Sequence, residues 1–217
     1  MIAAIHQPNY LPALSFFKKM AACDVFVLLD DAQFTRNSFI NRNRINTPNG
    51  PLWLTVPVKQ RFGQQIRDVE INNSQPWARK HWGSIEQNYQ KAPHFRDHAL
   101  ALGALYLLNW DKLIDLNLEL INYLTRCFGI APRMVLASSL KMTTEGTERL
   151  IDICNKVGAD TYLSGSGGRN YQDEQLFKES GITLTFQEGS FSNLSAIDDL
   201  LNPKREEMAK WMLRYEW

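Results

Sequence analysis

Met1-Ile2-Ala3-Ala4-Ile5-His6-Gln7-Pro8-Asn9-Tyr10 opens the chain, and its reading decides the fold. Residues 2–5 form an apolar run that reads as a buried strand. The run stops at a polar knot of His6, Gln7, Asn9 and Tyr10, broken by Pro8 and closed by Pro12. A new apolar segment follows at once. In an open α/β sheet, ligands bind where strands end and helices begin. The knot therefore stands where such a fold places reactive groups. A proline-stiffened turn that only caps the next helix fits the same residues, and both readings stay open at this point.

Outward from the knot, residues 11–22 carry Leu14, Phe16, Phe17 and Met20 with Lys18 and Lys19 adjacent, an amphipathic helix pattern. Val25-Phe26-Val27-Leu28-Leu29 is continuously apolar, as in strands buried on both faces. Strand, helix and strand in this order predict a parallel pair with a right-handed crossover. The pattern resumes at Met134-Val135-Leu136-Ala137. A helix follows from residues 143–148, with Thr144 as its cap, Leu150, Ile151, Ile153, Cys154 and Val157 on its buried face, and Gly158 at its end. Strands at 161–163 and 182–186 flank a short helix at 173–179.

The expected fold is α/β: a Rossmann-like three-layer sandwich on a parallel sheet, one domain over residues 1–217. Two pieces interrupt it. Thr47-Pro48-Asn49-Gly50-Pro51 is a turn. A strand at 52–58, with Pro57 near its end, should pair across that turn in a short hairpin at an edge. Another short strand is expected within residues 66–71. A mainly helical insertion follows at about residues 74–129, with Ser74 as first cap, Pro93 as a break and Gly129 as the closing residue. A mixed-charge helix from Pro203, ending in Trp211, Tyr215 and Trp217, closes the chain.

Composition sets the class. Hydrophobic residues make up 44% and charged residues 22% of the 217, as in a soluble globular protein. The net charge of +1 gives no field that argues for nucleic acid or an anionic membrane. No segment approaches the roughly 18 apolar residues of a spanning helix. No basic region precedes the short first apolar run, so no signal peptide is expected and cytoplasmic residence is the default. Cys23, Cys127 and Cys154 are odd in number and widely spaced, so they read as buried, inert thiols. His94 and His98 have helical i, i+4 spacing but lack a third ligand nearby, and no metal site is expected.

Three further stretches carry candidate chemistry. Asp30-Asp31 ends the second strand, on the edge that should also hold His6. The run from Gln33 to Ile45 contains three arginines and three asparagines, Asn41, Arg42, Asn43 and Arg44 among them. Such planar donors suit phosphate or carboxylate. Ser164-Gly165-Ser166-Gly167-Gly168-Arg169 follows a strand, and its glycines would let backbone amides approach an anion. It lacks the ending of a P-loop and the spacing of the dinucleotide signature.

His6-Gln7-Pro8-Asn9-Tyr10-Leu11-Pro12, Leu29-Asp30-Asp31-x-Gln33-Phe34, Asn41-Arg42-Asn43-Arg44-Ile45, Gly50-Pro51-x-Trp53-Leu54-Thr55-Val56-Pro57-Val58 and Tyr162-Leu163-Ser164-Gly165-Ser166-Gly167-Gly168 resemble the WbqC-like family. The resemblance runs through nearly the whole chain. Ala13 and Asn193 depart from it, standing where members often carry an aromatic residue. The family is bacterial and is met in clusters that build surface polysaccharides such as O-antigen. A looser similarity is to the nucleotidyltransferase-like α/β fold, in which a histidine motif after the first strand and a Gly/Ser-rich turn after a later one hold nucleotide phosphates. The second histidine of that motif is absent here, with Asn9 nearby.

The resemblance implies a transferase acting on a sugar nucleotide or other activated precursor, by N-acyl or aminoacyl transfer to an amino sugar. His6 would be the general acid–base, and Asp30 or Asp31 would orient it or activate the acceptor. Arg42, Arg44, Arg169 and the backbone of residues 165–168 would hold phosphates. Gln7, Asn9, Tyr10, Gln33, Asn41, Asn43, Ser164 and Ser166 would complete the substrate contacts. The alternatives are nucleotidyl transfer, with magnesium carried by phosphates and Asp31, and a non-catalytic protein that binds a glycan precursor. The expected partner is a small nucleotide-linked or phosphorylated molecule, not nucleic acid. No resident cofactor is assigned, and an oligomer is compatible with the sequence.

Overall fold

A computed structural model describes residues 1–170, 172–189 and 192–203. The tail helix expected after Pro203, with Trp211, Tyr215 and Trp217, lies outside the described residues. The elements run β1 (Ile2–His6), α1 (Leu14–Ala21), β2 (Val25–Leu28), β3 (Arg42–Ile45), β4 (Leu52–Thr55), β5 (Val58–Lys59), β6 (Glu70–Ile71), α2 (Trp77–Tyr89), α3 (Phe95–Leu107), α4 (Leu113–Cys127), β7 (Arg133–Leu136), α5 (Gly146–Val157), β8 (Thr161–Ser164), α6 (Glu174–Glu179), β9 (Thr183–Phe186) and α7 (Ile197–Leu201). No described helix is long and apolar enough to cross a membrane.

Five strands make one parallel sheet in the order β7-β2-β1-β8-β9. β1 is central, pairing with β2 on one side and β8 on the other. Successive strands add outward from β1 through β2 to β7. The chain then crosses back through α5 and adds β8 and β9 on the opposite side. The winding thus reverses between β1 and β8, and a doubly wound sheet opens its crevice at that point.

Alternation along the strands assigns the two faces. Ala3, Ile5, Val25 and Val27 pack with Ile151, Ile153, Cys154 and Val157 of α5 and with Phe177 of α6. Ala4, Phe26 and Leu28 pack with Phe16, Phe17 and Met20 of α1 and with the core of the α2–α4 block. This is the three-layer α/β arrangement that the apolar strand runs predict. Gly129, Gly158 and Gly181 end their helices at φ 65°, 81° and 71°, the left-handed backbone that glycine supplies.

Local differences have simple causes. The strand expected at 52–58 splits at Pro57: β4 pairs with β3, and β5 pairs with β6. Proline has no N–H for the ladder. Residues 66–68 form a 3-10 turn rather than strand, which leaves only Glu70–Ile71 to pair. Ser74 does not cap α2, because Pro76 starts that helix and the Ser74 hydroxyl donates to Asn72 Oδ1 at 2.8 Å. Thr144 does not cap α5. Glu145 stands at the cap, and the Thr144 hydroxyl donates to Asp152 Oδ2 at 2.7 Å.

Pro8, Tyr10, Leu11 and Pro12 of the knot after β1 are buried against the helical block, while His6, Gln7 and Asn9 are half-buried. The backbone groups of the knot find partners on several elements. Asn117 of α4 donates to Pro8 O at 2.8 Å and Ile40 O at 2.9 Å. Asn43 donates to Leu11 O at 2.6 Å, Tyr10 N donates to Phe39 O at 2.9 Å, and Ala196 N donates to Pro12 O at 2.8 Å. The Tyr10 hydroxyl bonds His81 Nδ1 at 2.8 Å and the Tyr106 hydroxyl at 2.7 Å.

Burial lowers the His81 pKa to about 4. The unfolded chain therefore binds a proton below about pH 6.5 that the folded chain refuses, and stability falls as pH drops from there toward 4. The melting temperature should decline steadily between pH 6.5 and pH 4 in calorimetry. A His81→Gln variant should show a shallower decline, and an unchanged slope would remove His81 from the acid response.

Candidate functional site

All five strands of the sheet end at one edge, and the switch point brings two stretches together there. β1 delivers His6 and then Gln7. β8 delivers Ser164 and then the glycine loop. Two cavities meet at this edge. The smaller, of about 280 Å3, is walled by Ser15, Phe16, Ser166, Gln187 and Asn193. The larger, of about 550 Å3, is walled by Gln7, Leu29, Thr147, Arg149, Leu150 and Gly168, with Ser164 also at its wall. His6, Lys19, Gly165 and Gly167 line both.

His6 directs Nδ1 at the Gln7 carbonyl, 2.9 Å away. A carbonyl only accepts, so Nδ1 carries the proton and Nε2 is left as an acceptor. Phe16 packs edge-on against the ring at 4.9 Å. Burial and the neighbouring Lys19 charge lower the His6 pKa to about 3, so its imidazole is neutral at physiological pH.

Lys19, which lines both cavities, is absent from the residues that the sequence pattern nominates. It is 3% exposed, and its ammonium donates to Ile5 O at 2.9 Å. Burial lowers its pKa to about 7. A signal was present: Phe16, Lys19, Met20 and Cys23 follow i, i+3, i+4, i+7, the apolar stripe of α1. A lysine inside that stripe must enter the protein rather than solvent.

The two carboxylates separate. Asp30 is 2% exposed and accepts from Ser138 N at 2.9 Å and Ser138 Oγ at 2.6 Å, tying the ends of β2 and β7 together. Asp31 accepts from Arg149 Nη2 at 2.6 Å. Asp31 thus reaches the larger cavity through the arginine it holds. Neither carboxylate lines either of these two cavities. Among the described residues no group of three histidine, cysteine, aspartate or glutamate side chains could hold a metal.

The glycine loop folds as one 3-10 turn over Ser166–Asn170, with Gly168 N donating to Gly165 O at 2.9 Å. Gln172 Nε2 donates to Ser164 Oγ at 2.8 Å beneath it. A Cβ on Gly168 would clash with the Ser164 hydroxyl and the Gln172 amide, so a larger residue there has to displace that hydrogen-bonded pair. Arg169 turns outward and stacks on Phe186 at 4.3 Å.

The asparagine–arginine run divides by the strand period. Asn41 and Asn43 are buried. Asn41 donates to Val56 O at 3.0 Å, and Asn43 holds the knot. Arg42 and Arg44 lie over Trp53 at 4.2 and 5.1 Å. None of these four lines either cavity, nor do Asn9, Tyr10, Gln33 and Arg169. Gln33 is exposed and bridges Gln65. The switch point therefore gathers His6, Gln7, Ser164, Gly165, Ser166, Gly167 and Gly168 from the predicted set, and adds Lys19 and Arg149. Burial pushes the Cys23 and Cys154 thiols up to about 12, which keeps both protonated.

The fold and cleft define a doubly wound α/β protein with an open crevice at its switch point. The chain belongs to the WbqC-like protein family, whose model matches residues 7–210. It is 38% identical over 186 residues to the uncharacterized protein Rv1507c of Mycobacterium tuberculosis, covering 84% of this chain and 80% of that one. No solved structure matches the chain.

Substitutions should separate the two aspartates. Asp30→Ala strands the Ser138 donors and should cost about 2–4 kcal/mol in denaturant unfolding. Asp31→Asn keeps an acceptor oxygen for the half-buried Arg149 and should cost less, about 1–2 kcal/mol. Equal losses would mean that Asp31 is as much a structural clamp as Asp30.

Proposed function

We propose that this protein is a transferase acting on a sugar nucleotide or another activated, phosphate-bearing precursor in surface-polysaccharide biosynthesis. Acyl or aminoacyl transfer to the amine of an amino sugar is the reaction class that suits the cleft. One observation carries the reading: two cavities meet at His6 and Lys19 where the sheet changes its winding. Family membership adds the polysaccharide context.

Transfer needs a donor and an acceptor held against each other, and two cavities that share His6, Lys19, Gly165 and Gly167 in their walls would place both beside the same residues. The smaller cavity offers Ser15, Gln187 and Asn193 to a hydroxylated acceptor. The larger one adds Arg149 and an apolar wall of Leu29 and Leu150 to the donor side. As the acceptor amine attacks the acyl carbon, a new C–N bond forms and the bond from carbon to leaving group breaks. His6 Nε2 takes the proton that the amine loses.

His6 is held neutral, so its base form is always present. Part of its low basicity comes from the Lys19 charge. A phosphate that neutralises Lys19 removes that cause and raises the basicity of His6 within the complex.

Thermal-shift and turnover assays test this. A sugar nucleotide at a hundredfold excess over its Kd should raise the melting temperature by about 5 °C or more. His6→Gln should keep most of that shift and lose about 100-fold or more in kcat with an amino-sugar acceptor. Turnover equal to wild type in His6→Gln would defeat the mechanism. A shift without turnover under any donor would favour a non-catalytic carrier of the precursor.

A further inference from the structure

Lys19 is buried, yet it lines both cavities. Its ammonium has three donors, and one goes to the neutral carbonyl of Ile5 at 2.9 Å. Among the described residues it forms no ion pair with any carboxylate. No aspartate or glutamate lines either cavity, and Arg149, at the wall of the larger one, has its own partner in Asp31 at 2.6 Å. An ammonium in this position costs stability unless a charge partner arrives. The side chain facing it across the cleft is a neutral histidine, and the opposite wall is the backbone of residues 165–168.

We propose that Lys19 is the anion-recognising residue of the cleft, its ammonium taking an oxygen of a phosphate or pyrophosphate group that lies across the junction of the two cavities. This rests on the reading of the cleft as a substrate site, and it does not depend on any transfer reaction. Arg149 holds the same group from the side of α5, steadied by Asp31.

Binding is then linked to proton uptake. The titratable and charged groups facing Lys19 are His6 at the end of β1, Cys23 beyond α1 and Arg149 across the larger cavity. His6 titrates near pH 3 and Cys23 near pH 12, both far outside the range from 6 to 8. Arginine stays charged throughout. Lys19, near 7, is the group that changes charge in that range. An anion that needs the ammonium should therefore bind about tenfold more weakly at pH 8 than at pH 6.

Calorimetric titration of the full chain with sulfate and with UDP-glucose tests this, because neither anion changes its charge between those pH values. Wild type should lose about tenfold in affinity from pH 6 to pH 8 and should take up protons on binding at pH 8. Lys19→Arg should bind at both pH values with no such loss and no uptake. Lys19→Met should bind tenfold or more weakly at pH 6 while melting at or above the wild-type temperature, since a buried charge has been removed. A merely structural lysine would give the reverse: lower melting and unchanged affinity. The proposal is overturned if Lys19→Met binds as wild type does, if Lys19→Arg keeps the pH dependence, or if wild type binds neither anion at pH 6. The titration reads no turnover, so anion binding here together with failure of the separate turnover assay sinks the transferase reading and leaves this one standing.

Discussion

The side-chain amide of Asn117 bridges two carbonyls, Pro8 O and Ile40 O, that would otherwise be buried without a donor. Much else depends on that bridge. The chain leaves β1 through a knot that two prolines keep out of regular structure, so its carbonyls have no ladder to join. A buried carbonyl without a partner costs about 1–3 kcal/mol. The protein answers with donors from elsewhere: Asn117 from α4, Asn43 from β3 and the backbone of Ala196 ahead of α7. The helical block and the hairpin are thus the partners that let an irregular segment be buried at the end of the central strand. With the knot fixed, the direction of His6 is fixed too.

The fold was legible in the sequence where apolar runs were unambiguous. Val25-Phe26-Val27-Leu28 reads as a strand covered on both faces, and its alternate residues do pack into two separate cores. Gly129, Gly158 and Gly181 marked helix ends because left-handed backbone favours glycine. Caps were less legible. Ser74 and Thr144 carry the right side chains, but nearby Asn72 and Asp152 compete for their hydroxyls. Such competition depends on which way a loop turns, which short-range pattern does not specify.

The candidate site was legible only in part, for a reason that the run Asn41-Arg42-Asn43-Arg44 makes plain. Read as composition, it is a dense cluster of planar donors. Read as a strand, it alternates, with buried asparagines on one side and arginines over Trp53 on the other. The pleat turns one apparent cluster into two unrelated duties. Asp30 and Asp31 divide in the same manner, one to Ser138 and one to Arg149. Lys19 is the converse case. Beside Lys18 it looks like half of a solvated pair, and only its place in the stripe of Phe16 and Met20 sends it inward.

The arrangement of His6 and Lys19 carries an electrostatic logic of its own. Each is desolvated, and each therefore resists its charged form. Two positive charges cannot be held cheaply at one junction, so the stronger base takes the proton and the imidazole remains neutral. The Gln7 carbonyl then fixes which ring nitrogen is free. An anion of the proposed kind would stabilise the ammonium and offset the Lys19 charge, the smaller of the two causes that weaken the imidazole. The imidazole is a weak base beside a cation without a charge partner, and an anion of the proposed kind would strengthen the one and satisfy the other. On the proposed reading, basicity at Nε2 would rise in the complex, and proton abstraction would be favoured while an anionic partner is bound.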